Sequence, residues 1–365
     1  MAQPRRIVVI GGVAAGPKAA SRARRVDPLA EITLIERDPV LSYAGCGLPY
    51  YVSGVVSERD DLMATPIGVL RDPAYFEKAK DIRVLPETEA VAIDRARRMV
   101  RVRSRQTGEE RAIPYDKLIL ATGASAVVPP IPGIDLPNVL PMKRVEDADL
   151  LKTLLASEAC QDVAIVGAGL IGLEMAEALH SCGRGVTLIE RLPQILPFLD
   201  ADMALLLHNY VVQQGVRVMT GAAVEAIEAD ASGRAARVVT DQGTVEAGAV
   251  IVGIGFRPNT SLAREAGLIL GPQGGILVNQ YMQTSDPDVY AAGDCTEKAC
   301  VVRGTTCLLP LGSTANKEGR VAGTNAAGGH ARFPGVVGTG AVKVFGWNVA
   351  RTGLTEADSR RLGVK

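Results

Sequence analysis

Cys46 lies between Gly45 and Gly47 in the run Ser42-Tyr43-Ala44-Gly45-Cys46-Gly47-Leu48-Pro49-Tyr50-Tyr51. The flanking glycines strip steric cover from the sulfur and let the backbone approach a flat partner, which a packing cysteine does not need. A small buried hydrophobe is the alternative for any cysteine taken alone. The run holds no second cysteine, so redox chemistry here would pass through a sulfenic acid or through a mixed disulfide with a small thiol. Glu36 and Glu190 each end an apolar stretch roughly twenty residues after a glycine turn, where a carboxylate meets a ribose hydroxyl. Lys18, Arg22 and Arg25 recur at helical spacing, a basic face that could hold phosphates or could simply be solvated.

These residues need elements to position them. Arg6 to Ile10 is a short apolar run of the kind a buried parallel strand requires, and it empties into Gly11-Gly12-Val13-Ala14-Ala15-Gly16 and then a helix. Val13 stands where the usual fingerprint has its middle glycine. A second strand, Glu31 to Glu36, completes a first nucleotide-binding unit. Glu89 to Asp94, Met99 to Ser104 and Arg111 to Ile113 predict a small antiparallel meander inserted into that unit. It leads to a strand through Tyr115 to Leu120 that ends in Ala121-Thr122-Gly123.

The same order returns later. Asp162 to Val166 is followed by Gly167-Ala168-Gly169-Leu170-Ile171-Gly172, a complete G-x-G-x-x-G, then by a helix from Leu173 to Ser181 and a strand Gly185 to Glu190. An acid at Glu190 accepts from the 2′-hydroxyl of NADH and repels the 2′-phosphate of NADPH, while Arg191 beside it would favour that phosphate. Glu174, early in the helix, reads as a first-turn acid offsetting the helix dipole. Ile251 to Asn259 carries Gly253 and Gly255 in a strand-like run, where glycine marks a close approach to the backbone.

Composition excludes several function classes. The 365 residues are 47% hydrophobic, enough for two compact domains, and 40 lysines and arginines balance 40 aspartates and glutamates. No basic excess advertises nucleic acid or an anionic membrane. No apolar run is long enough to span a bilayer, and Met1 to Arg6 lead straight into a strand without a signal peptide, so a soluble cytoplasmic protein is expected. The six cysteines form no C-x-x-C pair and the three histidines are scattered, which predicts neither a metal site nor a disulfide scaffold. Cys160 and Cys182 read as packing residues; Cys295, Cys300 and Cys307 fall in a loop-like stretch.

With the opening glycine loop, the Ala121-Thr122-Gly123 strand end resembles the FAD domain of the pyridine nucleotide-disulfide oxidoreductase superfamily. Thr284 to Asp294 resembles its second FAD motif, and Pro310 to Arg320 resembles a helix start facing the flavin ring. The resemblance covers essentially the whole chain. It implies an α/β fold of two Rossmann-like domains: FAD-binding over 1–118 and 256–328, NAD(P)H-binding over 146–255, and the beginning of an incomplete dimerisation domain over 329–365. Gly340 to Val349 would be that domain's first strand and Arg351 to Lys365 its first helix. A truncated form that turns over poorly is then expected, from a family whose full-length form is a homodimer.

The resemblance also implies roles. FAD would be held by Gly11, Gly12, Val13, Ala14, Ala15, Gly16, Glu36, Arg37, Ala90, Ala121, Thr122, Gly123, Asp294, Pro310 and Leu311, with Asp294 on the ribityl chain. NADH, or NADPH, would lie on Gly167, Gly169, Leu170, Ile171, Gly172, Glu174, Glu190, Arg191 and Gly255. The run Cys-Gly-Leu-Pro-Tyr-Tyr is similar to coenzyme A-disulfide reductases and related persulfide reductases, which makes Cys46 the catalytic sulfur. Ala14 replaces the histidine of the peroxidases. Lys18, Arg22, Arg25, Ser42, Lys80 and Asn316 align with coenzyme A contacts, although Gly45 stands where those reductases often carry asparagine. The expected reaction is reduction of coenzyme A disulfide or a small-thiol persulfide. The alternatives are an NADH oxidase or peroxidase cycling through sulfenic acid, and a flavin-binding fragment without turnover.

Overall fold

The computed structural model describes residues 3–364. Two compact units divide the chain, and each is built from discontinuous segments. The first comprises residues up to Ala44, then Asp60–Ser125 and Pro258–Val337; the second comprises Gly45–Arg59, Ala126–Arg257 and the chain from Gly338 onward.

The first unit is organised on a five-stranded parallel sheet. Its order is Val289–Ala291, Lys117–Leu120, Arg6–Ile10, Glu31–Ile35 and Arg83–Leu85. Arg6–Ile10 is central, which explains its unbroken apolar character: Ile7 and Val9 are fully buried with one layer of side chains, and Val8 and Ile10 with the other. Helices Ala15–Val26 and Gly312–Ala326 pack together on one face. A methyl group at Gly319 would fall 2.3 Å from the Ala15 carbonyl oxygen, and one at Gly323 2.2 Å from that of Ala19, so only glycine permits this approach. The other face carries the antiparallel meander Thr88–Asp94, Met99–Ser104 and Glu110–Pro114.

The second unit repeats the plan. Its parallel sheet runs Arg217–Thr220, Gly185–Glu190, Asp162–Val166, Ala249–Val252 and Val139–Leu140. A second meander, Val224–Ala229, Ala235–Thr240 and Gly243–Glu246, covers one face. This duplicated α/β architecture is the fold expected from the two glycine motifs.

Three local expectations need correction. Gly340 to Val349 is not one strand: Gly340–Val344 and Trp347–Arg351 form an antiparallel pair, turned at Phe345 with a φ of 50°. Helix Glu356–Leu362 follows, shorter than Arg351 to Lys365, because Thr355 and Asp358 form a capping box at its start and Gly363 adopts the left-handed conformation at its end; Lys365 lies outside the described residues. The stretch holding three cysteines is not a loop. Cys300 and Cys307 belong to the antiparallel strands Thr296–Cys300 and Thr305–Cys307, and Cys295 is fully buried. Among the described residues no helix is long and apolar enough to cross a membrane, and no cluster of histidine, cysteine and carboxylate side chains could hold a metal ion.

Candidate active site

In the first unit the glycine loop is compressed where strand meets helix. Gly11 has a φ of +107°, and a methyl group there would fall 2.1 Å from the Ala121 carbonyl oxygen; at Gly16 it would fall 1.8 Å from the Gly11 carbonyl oxygen. The buried Glu36 carboxylate turns back onto this loop, accepting from the Gly12 N–H at 2.5 Å and the Asp38 N–H at 2.9 Å. Burial pushes its carboxyl up from the ordinary range, opposed by these two bonds. A carboxylate with two acceptor sites so used keeps others for hydroxyl donors.

Helix Ala15–Val26 has no side-chain cap and no acid in its first turn, so its N-terminal N–H groups and dipole remain available to an anion such as a pyrophosphate. Val13 and Ala14, at the loop's crest, are half-buried. Beside them Gly123 has a φ of +66° with open space where a Cβ would sit. Asn259 holds the Ala121-Thr122-Gly123 turn from both sides: its amide donates to the Thr122 carbonyl at 2.9 Å, its carbonyl accepts from the Thr122 hydroxyl at 2.6 Å, and its N–H donates to Gly123. Asp294 is half-buried directly after the buried Gly293, and Leu311 caps the start of helix Gly312–Ala326 with Pro310 exposed before it. These features fit a dinucleotide such as FAD. Arg37 is exposed and pairs with Asp38 at 3.7 Å, and Ala90 is half-buried beside a bulge in the meander, packed on the core.

The basic face takes shape on the same unit. Lys18 and Arg25 are exposed, but Arg22 leans on the neighbouring helix, its Nε donating to the Thr324 hydroxyl at 2.9 Å. The three therefore do not form one uniformly solvated row. Asn316 lies in the first turns of helix Gly312–Ala326, bonded to the Gly312 carbonyl at 2.8 Å. Lys80 ends helix Pro73–Lys80 over the Tyr75 ring, next to Asp81, which pairs with Arg24 at 3.0 Å. Ser42, buried with a φ of 54°, donates its N–H to the Gly12 carbonyl at 2.7 Å and so braces the glycine loop.

The second unit builds the same cradle. Gly167 has a φ of +104°, and a methyl group at Gly172 would fall 2.0 Å from the Gly167 carbonyl oxygen. Glu190 accepts from the Ala168 N–H at 2.8 Å and the Leu192 N–H at 2.8 Å, the counterpart of Glu36 on its loop. Arg191 is exposed beside it. Gly169, Leu170 and Ile171 open helix Leu170–Ser181 without a side-chain cap, and open space lies beside both Gly169 and Gly255. These residues fit a nicotinamide dinucleotide. If Glu190 selects against a 2′-phosphate, Glu190→Gln should keep one acceptor oxygen and lose the repulsion. Steady-state kinetics should then show the NADH over NADPH preference falling about tenfold, the worth of 1.4 kcal/mol.

Glu174 sits beyond the first turn of that helix, which contains no acid, so it is not the dipole-offsetting residue its spacing suggested. Burial, helped by the negative charge of Glu177, pushes its carboxyl up to about 7. The folded protein thus keeps a proton that the unfolded chain gives up from about pH 4.5. This favours the fold at low pH, and the advantage disappears as pH rises toward 7. Glu174→Gln should match the wild type at the acid end of that window and gain stability above pH 7, on the order of 3 kcal/mol. Thermal melts at pH 5 and pH 8 would check it; an equal change at both would refute a titrating Glu174.

Cys46 is exposed in the single 3-10 turn Gly45–Gly47 that precedes the short helix Leu48–Val52. What fixes this segment was not visible in the sequence. The buried Tyr51 donates its hydroxyl to Asp149 at 2.9 Å, while Lys152 lies 4.1 Å from the Tyr51 ring and donates to its backbone carbonyl at 3.0 Å. Cys182 donates to the Val52 carbonyl at 3.6 Å, and Arg59 pairs with Asp149 at 2.9 Å. Helix Val145–Leu155 thereby carries the cysteine's platform. Desolvation and the Asp149 carboxylate push the Tyr51 hydroxyl up, so it stays a proton donor.

Known proteins bear on this arrangement. A family model described as pyridine nucleotide-disulphide oxidoreductase matches residues 5–325. The NADH oxidase of Methanocaldococcus jannaschii is 36% identical over 351 residues, which are 96% of this chain and 76% of that one. The NAD(P)H coenzyme A polysulfide/persulfide reductase of Pyrococcus horikoshii is 36% identical over 360 residues, 98% of this chain and 78% of that protein. The structure of an NAD-dependent persulfide reductase from A. fulgidus superposes with a TM-score of 0.95 at 44% identity, covering 98% of this chain and 66% of that one. The chain thus spans slightly less than two thirds of that structure. With paired glycine cradles, each closed by a buried glutamate, and a family model running through both, the chain belongs to the pyridine nucleotide-disulphide oxidoreductase family.

Proposed function

We propose that this chain reduces a disulfide or persulfide of coenzyme A, or of another small thiol, at the expense of NAD(P)H and through the sulfur of Cys46. The carrying observation is the exposure of Cys46 on a glycine-flanked turn whose run holds no second cysteine. The reductase names carried by the P. horikoshii and A. fulgidus proteins support the same reading.

Glu36 and the Gly11 to Gly16 loop would hold FAD, and Glu190 with the Gly167 to Gly172 loop would hold the nicotinamide nucleotide. When bound, these two groups supply the electron pair that reduces a disulfide. The residues do the rest. Lys18, Arg22 and Arg25 bind the phosphates of the acceptor by charge-assisted hydrogen bonds. The Cys46 thiolate attacks one sulfur of the acceptor disulfide, forming a Cys46 mixed disulfide and expelling one thiolate. Two electrons then cleave that bond, returning the Cys46 thiolate and releasing the second thiol with a proton from solvent. With a persulfide the expelled sulfur leaves as hydrosulfide. Tyr51, Asp149 and Lys152 hold the platform still between these steps.

The test is anaerobic. Purified yellow protein is reduced with NADH and mixed with coenzyme A disulfide or coenzyme A persulfide while the visible spectrum is followed. Return of the oxidised spectrum with a sulfur acceptor supports the proposal. Return only with oxygen or peroxide supports the oxidase reading, which the name of the M. jannaschii relative favours. No response to any acceptor supports a binding protein without turnover.

A further inference from the structure

The first unit buries a charge pair whose members belong to neither glycine loop. Lys298, on strand Thr296–Cys300, lies 2.9 Å from Glu318, on helix Gly312–Ala326, with the side chains 2% and 0% exposed. Such a pair is a poor way to stabilise a core. The desolvation of two charges roughly cancels their attraction, and well-packed apolar replacements of both partners are often neutral or stabilising.

The hydrogen bonds around the pair converge on one residue. The other Glu318 oxygen accepts from the Gly293 N–H at 2.7 Å and lies 3.1 Å from the Thr296 hydroxyl. The Gly293 carbonyl accepts from Lys298 at 3.3 Å, from the Thr296 hydroxyl at 2.8 Å and from the Thr296 N–H at 3.0 Å. Both polar groups of Gly293 are therefore clamped by the pair, at a φ of +90°. Its α-carbon sits tight against the first nucleotide loop, since a methyl group there would fall 3.1 Å from the Ala15 side chain. The next residue is Asp294.

We propose that Lys298 and Glu318 are positioning residues that act through Gly293, fixing Asp294 to grip the polyhydroxylated chain of a flavin rather than holding the fold together. The inference rests on the reading of Asp294 as a flavin contact. It explains why charges are kept where apolar residues would pack: the carboxylate holds the Gly293 N–H and the ammonium adds a bond to the Gly293 carbonyl, which no apolar pair can do.

The experiment measures FAD release from the holoprotein on dilution, by the rise in free flavin fluorescence, alongside the melting temperature. Lys298→Met alone strands a buried carboxylate and is expected to misfold, so the informative variants are double. Lys298→Met with Glu318→Leu removes both buried charges but leaves the Gly293 N–H without its acceptor, so it should fold and melt several degrees below the wild type, and release FAD faster by about tenfold or more, the equivalent of one lost charge-assisted hydrogen bond. Lys298→Met with Glu318→Gln keeps an oxygen for the Gly293 N–H and should recover most of the retention. Release at the wild-type rate from the folded Met/Leu variant overturns the proposal, as does a Met/Gln variant no better than Met/Leu. Failure of both double variants to fold also overturns it, by assigning the pair to the fold itself. Asp294→Ala separates the two levels. Wild-type retention in that variant sinks the flavin reading of Asp294; faster release there, with the Met/Leu variant unaffected, sinks the positioning role alone.

Discussion

Cys46→Ser should lose at least about a thousandfold in NADH-dependent reduction of coenzyme A disulfide or persulfide while the protein stays folded and yellow. The reasoning is chemical. A hydroxyl is not a nucleophile toward disulfide sulfur at neutral pH, and it cannot store the electron pair in a mixed disulfide, so the covalent route is closed rather than slowed. It is also structural: Cys46 is exposed in a 3-10 turn, and its platform is held by Tyr51, Asp149, Lys152 and Cys182, all of which a serine leaves in place. The check combines turnover with alkylation. Iodoacetamide should label Cys46 in the free enzyme, and prior incubation with coenzyme A disulfide should protect it through the mixed disulfide. A serine variant that retains even a tenth of the turnover would remove the cysteine from the mechanism.

The parts of this protein that could be read from its sequence are those where backbone geometry leaves no choice of residue. Gly11 and Gly16, or Gly167 and Gly172, stand where a Cβ would strike a carbonyl oxygen, and Glu36 and Glu190 stand where a carboxylate must reach two loop N–H groups. Spacing carries that information, so both α/β units and both acids were legible. The brace around Thr122 was not, because Asn259 lies 137 positions away and its role consists of three hydrogen bonds that no local pattern announces. Tyr51 and Asp149 are hidden likewise, as is the clamp of Lys298 and Glu318 on Gly293. The C-terminal hairpin was missed for a local reason. Its turn uses Phe345 at positive φ, a conformation that residue type rarely advertises, so the apolar run from Gly340 to Val349 looked continuous.

The two glycines of one loop should fail in opposite ways when changed to alanine. At Gly172 the added methyl group would lie 2.0 Å from the Gly167 carbonyl oxygen, a backbone atom that can move only by separating the helix from its strand. Overpacking of this kind costs upwards of about 3 kcal/mol, and in a unit of this size should lower the melting temperature by roughly 5–10 °C. Gly169, three residues earlier, has a φ of −79° that any residue tolerates, and nothing lies within 4 Å of where its Cβ would sit. Gly169→Ala should therefore melt like the wild type. Yet that open space lies at the uncapped start of helix Leu170–Ser181, where a pyrophosphate would approach the backbone most closely, so the same methyl group should raise the KM for NADH by about tenfold or more. Melting curves and NADH titrations on the two variants, side by side, separate these effects. A Gly169→Ala variant with an unchanged KM would mean that the nucleotide does not pass over this loop, and a Gly172→Ala variant as stable as the wild type would mean that strand and helix are less closely joined than their carbonyl contact requires.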